Sequence, residues 1–423
     1  MNEKQWSNVF KILDKYTQYK HYQLLFDRFR LSKKQSREEM RKELVRTVTD
    51  TGFLGPIMSP VVFEEWLALH QINGNNYTFV YNLEERVDSE LLQNAYLNKN
   101  SVIEINLFDI NIDNDSENLA TVMPGLNDIK LTQIHRDKNL GTYTFSFVSP
   151  CEVTGTRTDG SSRTYKNLFF CHCVFFEYSN DVKIIFNPTS NLLNVNGIKK
   201  DRYDWTPISN MIFNKVKQYI GKVYLKAPLW IPQALYQFAE DATGHNNPEI
   251  TAHSFNAESQ ILKFAEDLLK KSEIDTDNEP ALLSRFIQDI QISFESQLME
   301  IYAPVEDSQD SFAIFKQRSD GVSHIISVES TEEGFKYGSA AQAAKRSRQD
   351  GDIDLLGVNL KTNNRTYKFL VEQGSDAYLI RGTNTFIEEE VVNIVVRKLN
   401  EYREQIRLTT SDNPESGEGA AIP

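Results

Sequence analysis

Apolar residues at helical spacing open the chain. They recur three or four positions apart between residues 5 and 50, and again after Pro60. Ser32 and Gln35 have the spacing of a capping box, which predicts that a helix starts at Ser32. This pattern predicts a helical domain over residues 1–72.

The apolar period then changes to two. Strand-like alternation begins at Tyr77 and returns over Val102–Phe108. Thr142–Phe186 has the pattern of a three-stranded meander. Its central strand, Leu168–Phe176, is apolar on both faces and should be buried on both sides. These patterns predict a β-rich α+β domain over residues 73–226.

The second half of the chain returns to helical spacing and then mixes both periods. Residues 227–305 are predicted to be a helical segment, and residues 306–408 a C-terminal α+β domain. Residues 409–423 are polar and acidic, which predicts a disordered tail. The predicted fold class is α+β and multidomain, with a basic helical N-terminus, a β-meander-rich middle domain, a helical segment and a C-terminal α+β domain.

The C-terminal domain contains a hairpin signal at Asn363-Asn364, a pair that suits a tight turn between two strands. Counting outward from this turn pairs Lys361 with Thr366 or a residue nearby and places Leu355 near Glu372. The turn chemistry therefore predicts a strand register as well as a hairpin.

Charge is unevenly distributed along the 423 residues. The net charge is -13, from 46 Lys and Arg against 59 Asp and Glu. Residues 1–50 hold 12 basic and 7 acidic side chains, a local charge of +5. The rest of the chain carries 34 basic and 52 acidic, or -18. Because such a surface repels phosphate, nucleic acid is not expected to bind along the whole chain. The first 50 residues are the exception.

The chain has three cysteines, a number too small and odd for a disulfide-stapled secreted fold. No apolar stretch reaches the roughly 18–20 residues of a membrane span. The first residues lack the apolar core of a signal peptide. The expected localisation is cytoplasmic, without a membrane partner.

A short pattern in the N-terminal domain resembles a known DNA-binding motif. Its positions are Leu24, Leu25, Phe29, Leu31, Ser32, Ser36, Arg37, Met40 and Leu44. They are similar to the short helix–turn–helix hairpin of SAP-type motifs, over residues 20–46. The resemblance implies that this hairpin contacts DNA.

Basic side chains also crowd this hairpin, interleaved with aromatic residues. The candidate nucleic-acid contacts are Lys20, Arg28, Arg30, Lys33, Lys34, Arg37, Arg41 and Lys42. Lys and Arg neutralise phosphates and release counterions, which favours nucleic-acid binding. The alternative is a solvated helical face that docks on an acidic protein surface, including one of this chain.

Cys171-His172-Cys173 has the residue types of a metal site. On a strand, however, the two cysteines share one face while His172 points to the other. The three side chains then cannot meet at one ion, and structural zinc usually takes four ligands. The stretch is therefore predicted to be core, and no metal or cofactor is expected.

Two further charged clusters have simple structural interpretations. Glu104, Asp109, Asp113 and Asp115 lack the glycine and terminal glutamate of an EF-hand loop, so solvated side chains are expected.

Ser330 and Glu333 form a capping box that predicts one helix running through Arg348. Its basic end, Lys345-Arg346-Ser347-Arg348, suits the helix dipole, with phosphate contact as the alternative.

Metal-dependent phosphodiester cleavage requires carboxylates that hold the ion and a lysine near the attacking water. The nearest match is Asp352 and Asp354 before one strand and Glu372 at the end of the next. The usual lysine after the second carboxylate is missing, so Lys361 or Lys368 would have to replace it. This pattern gives the alternative hypothesis of a divergent nuclease.

The phosphate-binding GxxxxGK[ST] loop, GxSxG and HExxH are absent from the sequence. The leading hypothesis is therefore a non-enzymatic binding or adaptor protein with a protein partner, which contacts nucleic acid through residues 1–50. A set of domains that matches no large family would suit a component of bacterial host defence.

Overall fold

The computed structural model describes residues 1–50, 55–110, 112–114, 121–122, 125–156, 160–189, 191–201, 204–244, 247–275, 278–302, 311–321, 325–383 and 385–411. Within them the helices are α1 (Glu3–Tyr16), α2 (Tyr19–Arg28), α3 (Arg37–Thr49), α4 (Pro60–Leu69), α5 (Ser89–Leu97), α6 (Lys99–Val102), α7 (Thr206–Ile220), α8 (Ile231–Thr243), α9 (Pro248–Lys271), α10 (Pro280–Tyr302), α11 (Glu332–Lys336), α12 (Ser339–Asp350) and α13 (Glu389–Ser411).

The strands are β1 (Tyr77–Leu83), β2 (Asp113–Asn114), β3 (Thr121–Val122), β4 (Lys130–Asp137), β5 (Thr142–Thr156), β6 (Ser162–Phe176), β7 (Asp181–Phe186), β8 (Leu192–Val195), β9 (Ile198–Lys199), β10 (Leu225–Lys226), β11 (Ser311–Gly321), β12 (Ile325–Glu329), β13 (Gly351–Thr362), β14 (Arg365–Glu372) and β15 (Ala377–Gly382). Helices combined with antiparallel strands confirm the predicted α+β class. No helix in these ranges is long and apolar enough to cross a membrane.

The chain divides into two compact units. The first contains Met1–Ala227 and Ser375–Glu389, and the second contains Pro228–Gly374 and the chain from Glu390 onward. The predicted boundary between residues 226 and 227 lies one residue from the division between the units. The return of residues 375–389 to the first unit was not predicted, because it depends on the pairing of β15 with β1. Residues 409–411 of the predicted disordered tail are instead the last residues of α13, and the tail from residue 412 onward lies outside the described residues.

The sheet of the first unit is antiparallel, with the strand order β9-β8-β5-β6-β7-β1-β15; β4 also pairs with β5, and β10 with β1. Strands β5, β6 and β7 form the predicted meander. The central strand β6 is buried from Leu168 to Phe175, which confirms its prediction as a two-sided core strand.

Both faces of this sheet are covered within the first unit. One face shares a core with α5 and α7, which contribute Leu92 and Phe213 among others. On the other face, Val148 and Phe170 share a core with side chains of α1–α4. Residues 1–72 therefore pack on the sheet of residues 73–226 and not around a core of their own.

Three local predictions were wrong. The second helix of the basic hairpin starts at Arg37 and not at Ser32, because Ser36 and Glu39 form the actual capping box. Val102–Phe108 is not a strand.

The helix predicted from Ser330 to Arg348 is two helices, α11 and α12, which are separated at Gly338. Gly338 has a φ of 100°, which does not allow one continuous helix.

The sheet of the second unit has the antiparallel order β12-β11-β13-β14, and α8 and α12 pack against β11 and β13. The β13–β14 register pairs Lys361 with Thr366 and Leu355 with Glu372, as predicted. Asn363 and Asn364 have φ values of 48° and 59°, as a tight hairpin turn with two left-handed residues requires.

Candidate functional site

The predicted basic hairpin consists of α2, a turn and α3. Leu25 and Phe26 of α2 and Met40 and Leu44 of α3 are buried in the core that the helices share with the sheet. Because this face points inward, the charged residues between these positions lie on the outer face. The hairpin is therefore held by apolar packing, independently of its charges.

Arg30 has an unusual backbone at the end of α2. Its φ is 53°, in the left-handed region where glycine is normally found. The Leu31 N–H donates to the Phe26 carbonyl at 2.8 Å, and the Arg30 N–H donates to the Asp27 carbonyl at 3.2 Å, the bonds of a Schellman cap. The exposed arginine thus occupies a position at which its side chain costs stability.

Half of the eight candidate contacts are ion-paired. Lys33 lies 2.7 Å from Asp27, Lys34 lies 3.9 Å from Glu43, Lys42 lies 2.8 Å from Glu38, and Arg41 pairs with Asp14.

The other four candidates are Lys20, Arg28, Arg30 and Arg37. Within the described ranges none of them forms an ion pair with a carboxylate. Arg28, Arg30 and Arg37 are exposed and lie at the end of α2, in the turn and at the start of α3. These three guanidinium groups leave positive charge at the turn of the hairpin.

A buried group of three histidines lies in the first unit: His21, His70 and His172. We call it the histidine cluster. The rings of His21 and His70 are 5.1 Å apart between centroids, and the three side chains are nearly or fully inaccessible to solvent. This group could not be predicted from local sequence, because its members are far apart along the chain.

The hydrogen bonds of the histidine cluster fit neutral rings. Nδ1 of His21 accepts from the Gln18 N–H at 2.9 Å, and its Nε2 donates to the Asn73 carbonyl at 2.9 Å. Nδ1 of His70 donates to the Leu67 carbonyl at 2.7 Å, and its Nε2 lies 3.1 Å from the donating amide of Gln71. If the accepting nitrogen of either ring were protonated, the hydrogen bond that it accepts would be lost. Both sites therefore favour the neutral form of the ring.

His172 has one polar partner. Its Nδ1 lies 2.9 Å from the Ser146 hydroxyl, and its Nε2 has no hydrogen-bond partner among the described residues. Burial lowers the pKa of His172 to about 3 and that of His21 to about 4, and it lowers the pKa of His70 well below its usual value.

Lys183 is the second buried group that sequence reasoning missed. It lies in β7 between apolar neighbours, its side chain is fully buried, and its ammonium group pairs with the Glu389 carboxylate. Nζ also lies 5.2 Å from the centre of the Phe176 ring. Burial lowers the pKa of Lys183 to about 7. A lone lysine in an apolar strand was the available signal.

Cys171 and Cys173 lie in the core on one face of β6, whereas His172 bonds to Ser146, so the predicted separation by face is confirmed. Cys151 is also free and buried. In the described part of the chain, no three His, Cys, Asp or Glu side chains are grouped so that they could hold a metal ion.

The three thiols should not react in the folded protein. Burial raises the pKa of Cys151 to about 12 and raises the pKa of Cys171 and Cys173 further, so almost no thiolate is present at neutral pH. We expect Ellman's reagent to label no thiol in the native chain and all three in denaturant. Rapid labelling of the native chain would show that one of these sites opens.

Asp352 and Asp354 were predicted to precede a strand, but both lie inside β13, near its start; Glu372 ends β14 as predicted, and Asp354 has another partner. Arg318 donates through Nε to both of its carboxylate oxygens, at 2.8 and 3.0 Å. Lys361 pairs with Glu332 at 3.0 Å, and Lys368 lies over the Phe315 ring.

Asp352 lies directly across from Asp320 of β11. In the described part of the chain, neither Asp352 nor Glu372 belongs to a group of three His, Cys, Asp or Glu side chains that could hold a metal ion. The nuclease hypothesis stays a prediction.

The other charged clusters are neutralised locally. Glu104 is exposed, and it accepts from Lys215 at 2.9 Å, from the Tyr219 hydroxyl at 2.7 Å and from the Leu131 N–H at 2.9 Å. Asp109 accepts from Gln5 at 3.0 Å. The side chains of residues 113 and 115 lie outside the described part.

Within the second unit, the basic end of α12 is paired. Arg346 lies 3.1 Å from Asp289, Lys345 pairs with Glu295, and the buried Arg348 lies 2.6 Å from Glu240. This makes phosphate contact at α12 less favourable than at the α2–α3 hairpin, because three carboxylates already hold its cations.

Comparison of the chain with protein-family models, with curated proteins and with solved structures gave no match.

Proposed function

We propose that this chain is a non-enzymatic binding or adaptor protein that contacts the phosphates of a nucleic acid through the α2–α3 hairpin. The observation that carries the proposal is the group of exposed arginines at the turn, Arg28, Arg30 and Arg37, none of which forms an ion pair with a carboxylate within 4.0 Å in the described ranges. Exposed guanidinium groups that are not held by carboxylates can neutralise phosphates and release counterions; Arg37 also donates to the Thr17 carbonyl at 3.4 Å.

The backbone of Arg30 supports the same proposal. An arginine in a left-handed cap is less stable than a glycine there, by about 1 kcal/mol. Strained residues are concentrated at functional sites, because a residue that is needed for binding is kept even where its backbone strain costs stability.

The aromatic residues of the hairpin indicate which part of a nucleic acid is contacted. Tyr22 and Phe26 are fully buried, and Tyr19 and Phe29 are half-buried. Rings in these positions offer little surface on which bases could stack. Contact with the phosphate backbone, without sequence preference, is therefore the mode we propose.

The test is a mobility-shift titration of duplex DNA by the full chain over a range of salt concentrations. Replacing Lys20, Arg28 and Arg37 by Gln should weaken binding and reduce the slope of log K against log salt by about 3, because each phosphate contact contributes about 0.9. The matched control replaces Lys33, Lys34 and Lys42 by Gln, which removes the same charge from ion-paired positions and should cost less. Equal losses in the two variants, or no shift with wild type at low salt, would contradict the proposal.

Arg30→Gly separates function from stability. We expect this variant to be more stable by about 1 kcal/mol in urea unfolding, because glycine adopts the left-handed cap without strain. The same variant should bind DNA more weakly. A stabilised variant with unchanged binding would show that Arg30 has no part in the contact.

A further inference from the structure

The helices α9 and α10 form an antiparallel pair in the second unit, and α9 packs against α10 through one stripe. The buried residues of that stripe are Ile250, Ser254, Ile261, Ala265 and Leu269. α10 is in turn joined to α12 by the ion pairs of Asp289 and Glu295. The stripe accounts for one face of α9 and leaves its other positions exposed.

Large apolar side chains are exposed where α9 ends and α10 begins. Phe264 is 56% exposed, Leu268 41%, Ile274 37% and Leu282 41%. We call these four residues the hairpin tip. Isolated exposed apolar residues are ordinary on protein surfaces, but four within residues 264–282 are typical of an interaction site.

The charge around the hairpin tip restricts what can cover it. Residues 264–282 hold six Asp and Glu against two Lys, a net charge of -4. Nucleic acid and anionic lipid would be repelled, and a second copy of the tip would bring two such charges together. A positively charged partner would be attracted.

We propose that the hairpin tip binds a basic amphipathic helix of a partner protein. The apolar face of such a helix would cover Phe264 and Leu268, and its lysines or arginines would face the surrounding carboxylates, a combination used in helix-in-groove recognition. The proposal specifies the predicted protein partner as a basic amphipathic helix and places its binding site at the hairpin tip. It does not depend on nucleic-acid binding by the α2–α3 hairpin.

The probe is a fluorescent synthetic helix of leucine and lysine at amphipathic spacing, titrated with the full chain and followed by anisotropy. Phe264→Ser with Leu268→Ser should weaken binding about tenfold, since apolar anchors carry most of the affinity of such sites. Phe255→Ser is the matched control: Phe255 is 74% exposed on the same helix but lies outside the tip, and its loss should leave binding unchanged. Thermal melts of both variants report any loss of folding.

A charge variant tests the tip without removing apolar contacts. Glu266→Gln, Glu273→Gln and Glu279→Gln together should weaken binding of the same peptide, and the difference from wild type should shrink in high salt. The proposal is overturned if wild type does not bind, if a scrambled peptide of the same composition binds equally, or if the tip variants bind like wild type. Loss of a dimer by the tip variant in sedimentation would assign the surface to a second copy instead. Binding to phosphatidylglycerol vesicles through the same residues would assign it to lipid.

Discussion

Lowering the pH from 7 to 5 should reduce the free energy of unfolding by about 4 kcal/mol through His21 and His172 of the histidine cluster, and His70 should add to this loss. An unfolded histidine has a pKa of about 6.5, whereas burial holds His21 at about 4 and His172 at about 3, and His70 well below its usual value. The unfolded state therefore binds more protons below pH 6.5. This contribution to stability is complete above that pH and is lost as the pH falls toward the folded pKa values, by about 2 kcal/mol at pH 5 for each of His21 and His172.

Urea unfolding followed by circular dichroism between pH 7 and 5 measures this loss. His172→Gln keeps a neutral side chain beside Ser146 and should make the decrease smaller by about 2 kcal/mol. His253→Gln is the control, because His253 is exposed and lies against Tyr302. A His172→Gln profile parallel to that of wild type would show that this ring is not neutral in the folded state.

Replacing Lys183 by Met should destabilise the chain by about 3 kcal/mol at pH 7. Met fills a similar volume in β7, but Glu389, which is only 13% exposed, loses the ammonium group that pairs with it. The cost comes from a carboxylate that remains in a poorly solvated position, since the lysine itself was costly to bury.

A double-mutant cycle separates the two contributions. Glu389→Gln removes the remaining charge, so Lys183→Met with Glu389→Gln should recover at least half of the loss. If the double variant is as unstable as the sum of the single variants, the pair is not coupled. If Lys183→Met alone has wild-type stability, the ion pair makes no net contribution.

The basic α2–α3 hairpin was visible in the sequence as charge. The sequence could not separate exposed charge from neutralised charge. Lys33 and Arg28 look alike in a list of basic residues, but Asp27 holds the first and no described carboxylate pairs with the second. A run of basic residues in the sequence predicts a basic region of the surface. The positions of the side chains decide which of its cations are free of ion pairs and can contact a ligand.

Some features of this chain were determined by local sequence. The β13–β14 register follows from Asn363 and Asn364, because a tight turn fixes the pairing of the strands that it joins. The two-sided burial of β6 and the separation of Cys171 from His172 follow from a period of two. The α+β class follows from the same periodicities.

Other features were decided only by the tertiary structure. β15 returns to β1, Lys183 meets Glu389 across 206 positions, and three distant histidines share one buried region. None of these contacts leaves a local pattern, since hydrophobic period and turn chemistry extend over only a few residues. The N-terminal helices pack on one face of the sheet and bury the histidine cluster between them. This burial removes water from the rings and lowers their pKa values, and it cannot be seen in any single segment of the sequence.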